Sequence, residues 1–353
     1  MSSTGPMVSR PAWQTRGVVD HAFSDERLAR LYDVLNPWGR SGDDAFYLDL
    51  VMSARSVLDV GCGTGSLLHR AREAGHTGLL CGLDPAEAML DRARVRPDIE
   101  WISGDLASAG ALVAAPVAAP VAAPVTASAM PSATPSVGRD RRFDLVVMTG
   151  HAFQALVEDD ELRASLAAVR SVLGPVRSIF AGPRRLAPHL AALSESPKYV
   201  QYMGDPPPCD ARHQTPRPDP RRSTGQDLAD DGRFVFETRN PPARAWESWT
   251  PDHAVEVTAA DGAVVRVAHQ VETPVDGDVV SFTTTFTSPD WERAEVSRSS
   301  LRFLDRDALS SFLSDAGLVA ERQYGDWARG PLTETSPEII TVAAPVALAA
   351  PAR

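Results

Sequence analysis

The sequence predicts an α/β protein built on a parallel sheet, and three observations carry that expectation. Strand-like apolar runs alternate with helical patterns from about residue 21 to residue 110, the order that right-handed strand-helix-strand crossovers produce. A glycine-rich turn, Gly61-Cys62-Gly63-Thr64-Gly65, joins an apolar run to the next helix, as a ligand resting on bare backbone requires. The last third becomes β-rich with Asp-Gly turns, which adds a small antiparallel unit to the α/β frame.

In chain order, residues 1–20 read as a polar, patternless tail. Phe23 to Leu35 predicts a helix stopped by Asn36-Pro37, and Asp44 to Met52 a second. Ser56 to Val60 is a strand, and Ser66 to Ala74 a helix closed by Gly75. Gly78 to Leu83 is the second strand, and Pro85 to Arg94 a helix with Pro85 at the favoured first position. Ile99 to Ile102 is a short third strand, Arg142 to Met148 a fourth, and Glu158 to Leu173 an amphipathic helix with Leu162, Leu166, Val169 and Leu173 on one face. Asp231 to Glu237 predicts the fifth strand.

Beyond it, His253 to Thr258, Ala263 to Val271, Val279 to Thr287 and Val296 to Leu304 form an antiparallel unit over 252–304, with turn signals at Asp261-Gly262 and Asp276-Gly277. Asp305 or Asp307 caps a helix running through Leu313 and ended by Gly317. Leu318 to Tyr324 and Glu338 to Val342 close the sheet, and 344–353 is a tail.

Two segments break the pattern. Residues 107–140 repeat Ala-Ala-Pro-Val and then become Ser/Thr/Pro-rich, and residues 174–230 are rich in Pro and Arg. Prolines at this density forbid helix and central strand, and loops this long are foreign to a compact domain. Both therefore read as disordered insertions into a domain spanning 21–343. Recognition of a partner through polyproline conformation is the alternative.

Composition narrows the function. The 353 residues are 43% apolar, as in a globular protein. No apolar run approaches the roughly 20 residues that cross a bilayer, and the N-terminus lacks a signal-peptide pattern. Three cysteines, Cys62, Cys81 and Cys209, without C-x-x-C spacing suggest neither disulfide framework nor metal site and fit a reducing cytoplasm. A net charge of −11 argues against nonspecific nucleic-acid affinity. The expectation is a cytoplasmic protein with no membrane partner, of unknown oligomeric state.

The turn itself reads D-x-G-x-G-x-G, from Asp59 through Gly61, Gly63 and Gly65, with Ser66 where a dinucleotide fingerprint has its third glycine. This resembles the first motif of the class I S-adenosylmethionine (SAM) dependent methyltransferases. The resemblance covers roughly residues 25–106, 141–173 and 231–343. It implies a doubly wound, mostly parallel seven-stranded sheet of the Rossmann-like methyltransferase type, with the last strand antiparallel. It also implies SAM as cofactor. The acidic charge and the lack of an N/D-P-P-Y/F motif after the fourth strand favour a small-molecule methyl acceptor over nucleic acid, and no metal is expected.

Site residues follow from the resemblance position by position. Asp84 ends an apolar strand 19 residues past Gly65, where the family binds both ribose hydroxyls by charge-assisted hydrogen bonds. A helix cap before Pro85 is the structural alternative, and NAD-type folds share such a residue. Gly104-Asp105-Leu106 matches the adenine site, and Met89 covers adenine or ribose, or packs in the core. Asp59 serves the turn or the amino group of the cofactor, while Cys62 contributes backbone, with no base or cation evident in sequence to activate its thiol. Met148-Thr149 lead to His151, the candidate general base, because an imidazole titrates near neutrality. A histidine that only positions the loop is the alternative.

The N/D-P-P-Y/F motif of amino-methylating enzymes acting on nucleic acid or protein glutamine is missing after the fourth strand. Asn240-Pro241-Pro242 follows the fifth strand and continues into Ala243. Nitrogen and oxygen acceptors both remain open. Glu237, Arg239, Trp246, Trp249, His253, Tyr324, Asp326 and Trp327 are expected on loops rimming the pocket, with Arg239, Trp249 and Tyr324 facing substrate. Tyr32, Trp38 and Tyr47 are lid candidates, and Tyr32 is also expected to touch substrate. The rival readings are an NAD-dependent oxidoreductase and a noncatalytic SAM-binding or interaction protein.

Overall fold

The computed structural model describes residues 19–106, 142–174, 232–275 and 277–346. The two Pro-rich segments, apart from Gly174, lie outside the described residues, as do most of both tails. The sheet forms as the alternation predicts. Its strands are β1 (Ser56–Val60), β2 (Leu79–Asp84), β3 (Glu100–Ser103), β4 (Leu145–Met148), β5 (Arg233–Arg239), β10 (Leu318–Tyr324) and β11 (Glu338–Pro345). They lie in the order β10-β11-β5-β4-β1-β2-β3. β1 pairs in parallel with β2 and β4, β2 with β3 and β4 with β5, whereas β11 runs antiparallel to both β5 and β10.

Successive side chains of a strand point to opposite faces, so near-continuous apolar strands need cover on both. On one face Leu58, Val60, Leu83, Val146, Phe234 and Phe236 meet α7 (Asp159–Val172) and α8 (Arg306–Asp315) through Leu162, Leu166, Leu309 and Leu313. On the other, Val57, Leu80, Leu145, Val147 and Val235 meet α4 (Gly42–Ser53) and α5 (Ser66–Glu73) through Phe46, Val51, Leu67 and Leu68. Each such fully buried Leu or Phe stabilises by roughly 1.5–3 kcal/mol.

A second sheet follows β5, ordered β6-β7-β8-β9 (Val255–Thr258, Val264–Val271, Val279–Thr287, Glu295–Arg302) and wholly antiparallel. The N-terminal turns pack on it: Leu28, Leu31 and Leu35 share a cluster with Val265, Val267 and Phe286. These turns depart from the single helix expected over Phe23 to Leu35. They are α1 (His21–Ser24), α2 (Glu26–Ala29) and α3 (Tyr32–Leu35). Asp25 is the reason: in extended conformation, its carboxylate accepts from the amides of Arg27 and Leu28 at 3.0 Å, an N-cap that starts a new helix.

The helix expected from Pro85 also begins later. α6 spans Glu87–Ala93, because Asp84 Oδ1 accepts from the amide of Ala86 at 2.8 Å and holds an Asx-type turn first. Pro85 lies exposed in that turn. No helix among the described residues is long and apolar enough to cross a membrane.

Candidate active site

The order β5-β4-β1-β2 brings the carboxyl ends of four strands side by side, and each ends in chemistry. β1 presents Asp59, β2 Asp84, β4 the turn leading to His151, and β5 Glu237. Because β11 runs the other way, its first residue, Glu338, arrives at the same edge, opposite Arg239 of β5.

The glycine turn is pinned from below, where the amides of Gly61 and Cys62 donate to the carbonyl of Leu83 at 2.8 and 3.2 Å. All three of its glycines lie in the left-handed region, at φ 73°, 55° and 78°, which a side chain rarely adopts. Space forbids one as well. A Cβ on Gly61 would come 2.9 Å from Ala152 Cβ, and one on Gly65 would come 2.4 Å from the Trp101 ring. At Gly63 the neighbours are the tips of Met89 (3.3 Å) and Tyr32 (3.9 Å), so these two side chains close over the turn. A Cβ on Gly150 would meet the Tyr32 hydroxyl at 3.7 Å, which puts Tyr32 between the β1 and β4 turns.

Three buried carboxylates line this edge. Asp84 Oδ2 accepts from the amide of Gly63 at 2.8 Å while Oδ1 holds Ala86. A carboxylate has about four lone-pair sites, so acceptor capacity remains for two hydroxyls. Burial raises its pKa against these two hydrogen bonds. Asp59 is 1% exposed and its Oδ1 has no hydrogen-bond partner. Burial first, then the charges of Asp84 and Glu237, push its pKa up to about 8. Glu237, fully buried, accepts from the amide of His151 at 2.7 Å and from the hydroxyl of Tyr47.

His151 is a non-glycine residue at φ 62°, a backbone state that costs about 1 kcal/mol or more and clusters at functional sites. The bond to Glu237 holds it there. Its ring nitrogen Nε2 lies 3.0 and 3.1 Å from the two oxygens of Glu338.

The N-terminal turns are latched to the glycine turn. Asp33 of α3 accepts from Thr64 Oγ1 at 2.5 Å and from Arg92 of α6 at 2.9 Å. Tyr32 is thereby held over the site, and burial together with Asp84, Asp33, Asp43 and Asp59 pushes its pKa up to about 12. Its hydroxyl is a donor at any physiological pH.

The structure brings together Asp59, Gly61, Gly63, Gly65, Asp84, Met89, His151 and Tyr32. Gly104 is tied in by its amide, which donates to the carbonyl of Asp84 at 3.0 Å, while Asp105 beside it is exposed. Leu106 and Met148 are buried in the main core. The carbonyl of Thr149 accepts from Ala152 and shapes the turn. Cys62 packs with Leu90, Ala93 and Trp101, and burial pushes its thiol well up, the opposite of activation.

Trp249, expected on a rim, is instead in the core of the antiparallel unit, with Phe282 at 4.9 Å and Val280 beside it. A large ring beside a small sheet gains more by burial than by exposure. Its Nε1 is buried without a partner, and Arg239 lies 5.3 Å from its ring while bonding Gln154 Oε1 at 3.1 Å. Tyr324 packs edge-on against Phe46, on the α4 side. Asn240 holds the 333–336 loop through its amide, at 2.8 Å to Ser336 O, a structural use of the Asn-Pro-Pro stretch.

Glu338 and Asp33 had no place in the sequence-based site. Glu338 is 187 residues from His151, and Asp33 is 31 from Thr64. No local pattern marks either.

Residues 57–123 match a family model described as a methyltransferase domain. No curated protein matches the chain. Among solved structures, a SAM-dependent methyltransferase from Clostridium acetobutylicum is similar at 12% identity and TM-score 0.53, over 91% of this chain and 98% of that one. The sugar N-methyltransferase KedS8 from Streptoalloteichus is similar at 16% identity and TM-score 0.51, over 98% and 99%. The CcbJ methyltransferase from Streptomyces caelestis is similar at 16% identity and TM-score 0.50, over 90% and 96%. At such identities the likeness is one of fold. Together, the matched segment and the sheet order agree with the motif at Asp59 to Gly65: residues 57–123 match a methyltransferase domain, in a chain whose fold is like that of solved SAM-dependent methyltransferases.

Proposed function

We propose that the protein transfers the methyl group of SAM to a nitrogen or oxygen of a small-molecule acceptor, with His151 as general base. One observation carries this reading: His151 is held in a strained turn beside the glycine turn, with its backbone on Glu237 and its Nε2 on Glu338.

The residues present fit the cofactor. A cradle that a Cβ would fill at Gly61, an orphaned buried oxygen on Asp59 and the spare acceptor capacity of Asp84 are what an adenosine carrying a positive charge calls for. Asp84 would hold the ribose, Asp59 the cationic amino end, and Met89 with the Gly104 to Leu106 segment the adenine. When bound, SAM supplies a methyl group on a positively charged sulfur, which departs with the electron pair of the broken bond. The chain aligns acceptor and methyl group, excludes water beneath Tyr32, and takes the acceptor's proton at His151 Nδ1. Asp43, Glu237 and Glu338 make the surroundings of His151 acidic, which favours an amine arriving as its ammonium over an anionic acceptor. The antiparallel unit over 252–304 would bound the acceptor side, with Arg239 and Tyr32 its candidate contacts.

Isothermal titration with SAM, its demethylated product and NAD tests the cofactor. Micromolar SAM binding is expected, and NAD binding without SAM binding overturns the reading. A mass-shift screen of amines, phenols and carboxylates then identifies the acceptor. With it, His151→Ala should lower kcat by about 10²-fold or more at unchanged SAM affinity; full turnover removes His151 as the base.

A further inference from the structure

We infer that Glu338 is the positioning residue of His151, holding the neutral imidazole with its proton on Nε2 and its Nδ1 lone pair free to accept a proton. This rests on the reading of His151 as the base and extends it to a second residue, on a different strand.

Nε2 lies within hydrogen-bond distance of both oxygens of Glu338, at 3.1 and 3.0 Å. A carboxylate only accepts, so the nitrogen facing it is the one that carries the proton, which leaves Nδ1 bare in the neutral ring. Both side chains are largely withdrawn from water, at 19% and 13% exposure, so the pair is screened less than a surface pair.

Geometry fixes the partners independently of each other. Glu237 sits on β5 and Glu338 on the adjacent antiparallel β11, two register positions away. One strand therefore holds the backbone of His151 and the other its ring. With the backbone at φ 62° stabilised through Glu237, only the ring torsions remain, and Glu338 sets those. Among the described residues, the other titratable groups acting on this site include Asp43 and Tyr47 from α4 and Asp59 from β1. Asp43 interacts with both His151 and Glu338, and Tyr47 donates to Glu237. Among the described residues, only Glu338 has its carboxylate on the ring nitrogen.

The test is nitrogen NMR of the full-length protein labelled with 15N-histidine, with His151 identified by the signal missing in His151→Ala. In the wild type, neutral His151 should carry its proton on Nε2. In Glu338→Gln the amide oxygen can still accept from Nε2, so the tautomer should persist, whereas Glu338→Ala removes the acceptor and should let the proton appear on Nδ1 in a measurable fraction of the neutral rings. Turnover should fall about tenfold or more in Glu338→Ala and largely recover in Glu338→Gln, with KM for SAM unchanged. Glu338→Asp, which keeps an acceptor but loses reach, should restore part of the tautomer and serves if the alanine variant does not fold. A neutral wild-type ring protonated on Nδ1, or a tautomer indifferent to Glu338→Ala, overturns the inference. If the NMR result holds but His151→Ala keeps full turnover, the pairing stands and the assignment of His151 as base falls.

Discussion

The amide of Gly63 donates to Asp84 Oδ2 at 2.8 Å, so the carboxylate ending the second strand holds the turn that follows the first. Asp84 therefore has two tasks: shaping the glycine turn and, in the proposed complex, receiving the ribose. Asp84→Asn places an amide donor against a backbone donor at Gly63 or Ala86. The expected outcome is a SAM affinity reduced at least about tenfold, ~1.4 kcal/mol, with the far-ultraviolet circular dichroism unchanged. Titration calorimetry reads it, and an unaltered Kd removes Asp84 from the cofactor site.

Asp59 makes stability depend on pH. Its pKa is pushed up to about 8 in the folded chain, against roughly 3.9 unfolded. The folded state thus keeps a proton that the unfolded state has released across that window. The stability that Asp59 contributes is lost as pH rises from about 4 to about 8, and this contribution is level outside that window. Asp59→Asn should raise the unfolding temperature by a few degrees at pH 8, for ~1 kcal/mol or more, and leave it unmoved at pH 4. The same variant should bind SAM more weakly, since the orphaned oxygen is the proposed partner of the cofactor's positive charge. Equal unfolding temperatures of variant and wild type at pH 8 would show that Asp59 carries no buried charge.

The three glycines of the turn are not equivalent to an alanine scan. Each has positive φ, but the neighbour that an added Cβ meets differs. At Gly65 it is the Trp101 ring at 2.4 Å, whose indole nitrogen is anchored to Arg96 O at 3.0 Å; at Gly63 it is the flexible end of Met89 at 3.3 Å. Gly65→Ala should cost about 3 kcal/mol or more and Gly63→Ala about 1–2 kcal/mol, as measured by denaturant titration. The reverse order would mean that Trp101 yields more readily than the packing indicates.

The Asp33 latch sets how readily the N-terminal turns leave the site. Asp33→Ala frees Thr64 and Arg92 together. Amide exchange over residues 26–35 should quicken by roughly fivefold, for about 1 kcal/mol of lost hydrogen bonding, while α7 keeps its protection. Unchanged exchange at 26–35 would place the hold of those turns entirely in their packing on Val265, Val267 and Phe286.

Much of this was legible in the chain. The strands from Ser56 to Tyr324 appear within three residues of the expected bounds, the fourth starting at Leu145 rather than Arg142, because alternation and bounding turns are local signals. The D-x-G-x-G-x-G spacing likewise marked the cradle, since positive φ is a demand the backbone makes on the residue itself. Errors arose where a polar side chain competed with the pattern. Asp25 broke one helix into turns and Asp84 delayed another past Pro85, both by capturing backbone amides that periodicity assigns to a helix. Trp249 was misplaced because an isolated tryptophan does not report which side of a sheet will enclose it.

By itself, the sequence determined the parallel sheet, the antiparallel unit after the fifth strand, and the glycine turn with its carboxylates at Asp59 and Asp84. Those depend on short-range spacing and backbone sterics. Only the tertiary structure decided what surrounds His151. Glu237, Glu338 and Tyr47 come from three elements far apart in the chain and meet because β11 runs antiparallel beside β5, carrying its first residue to the edge where the parallel strands end. Strand direction is a property of the assembled sheet, and no local pattern encodes it.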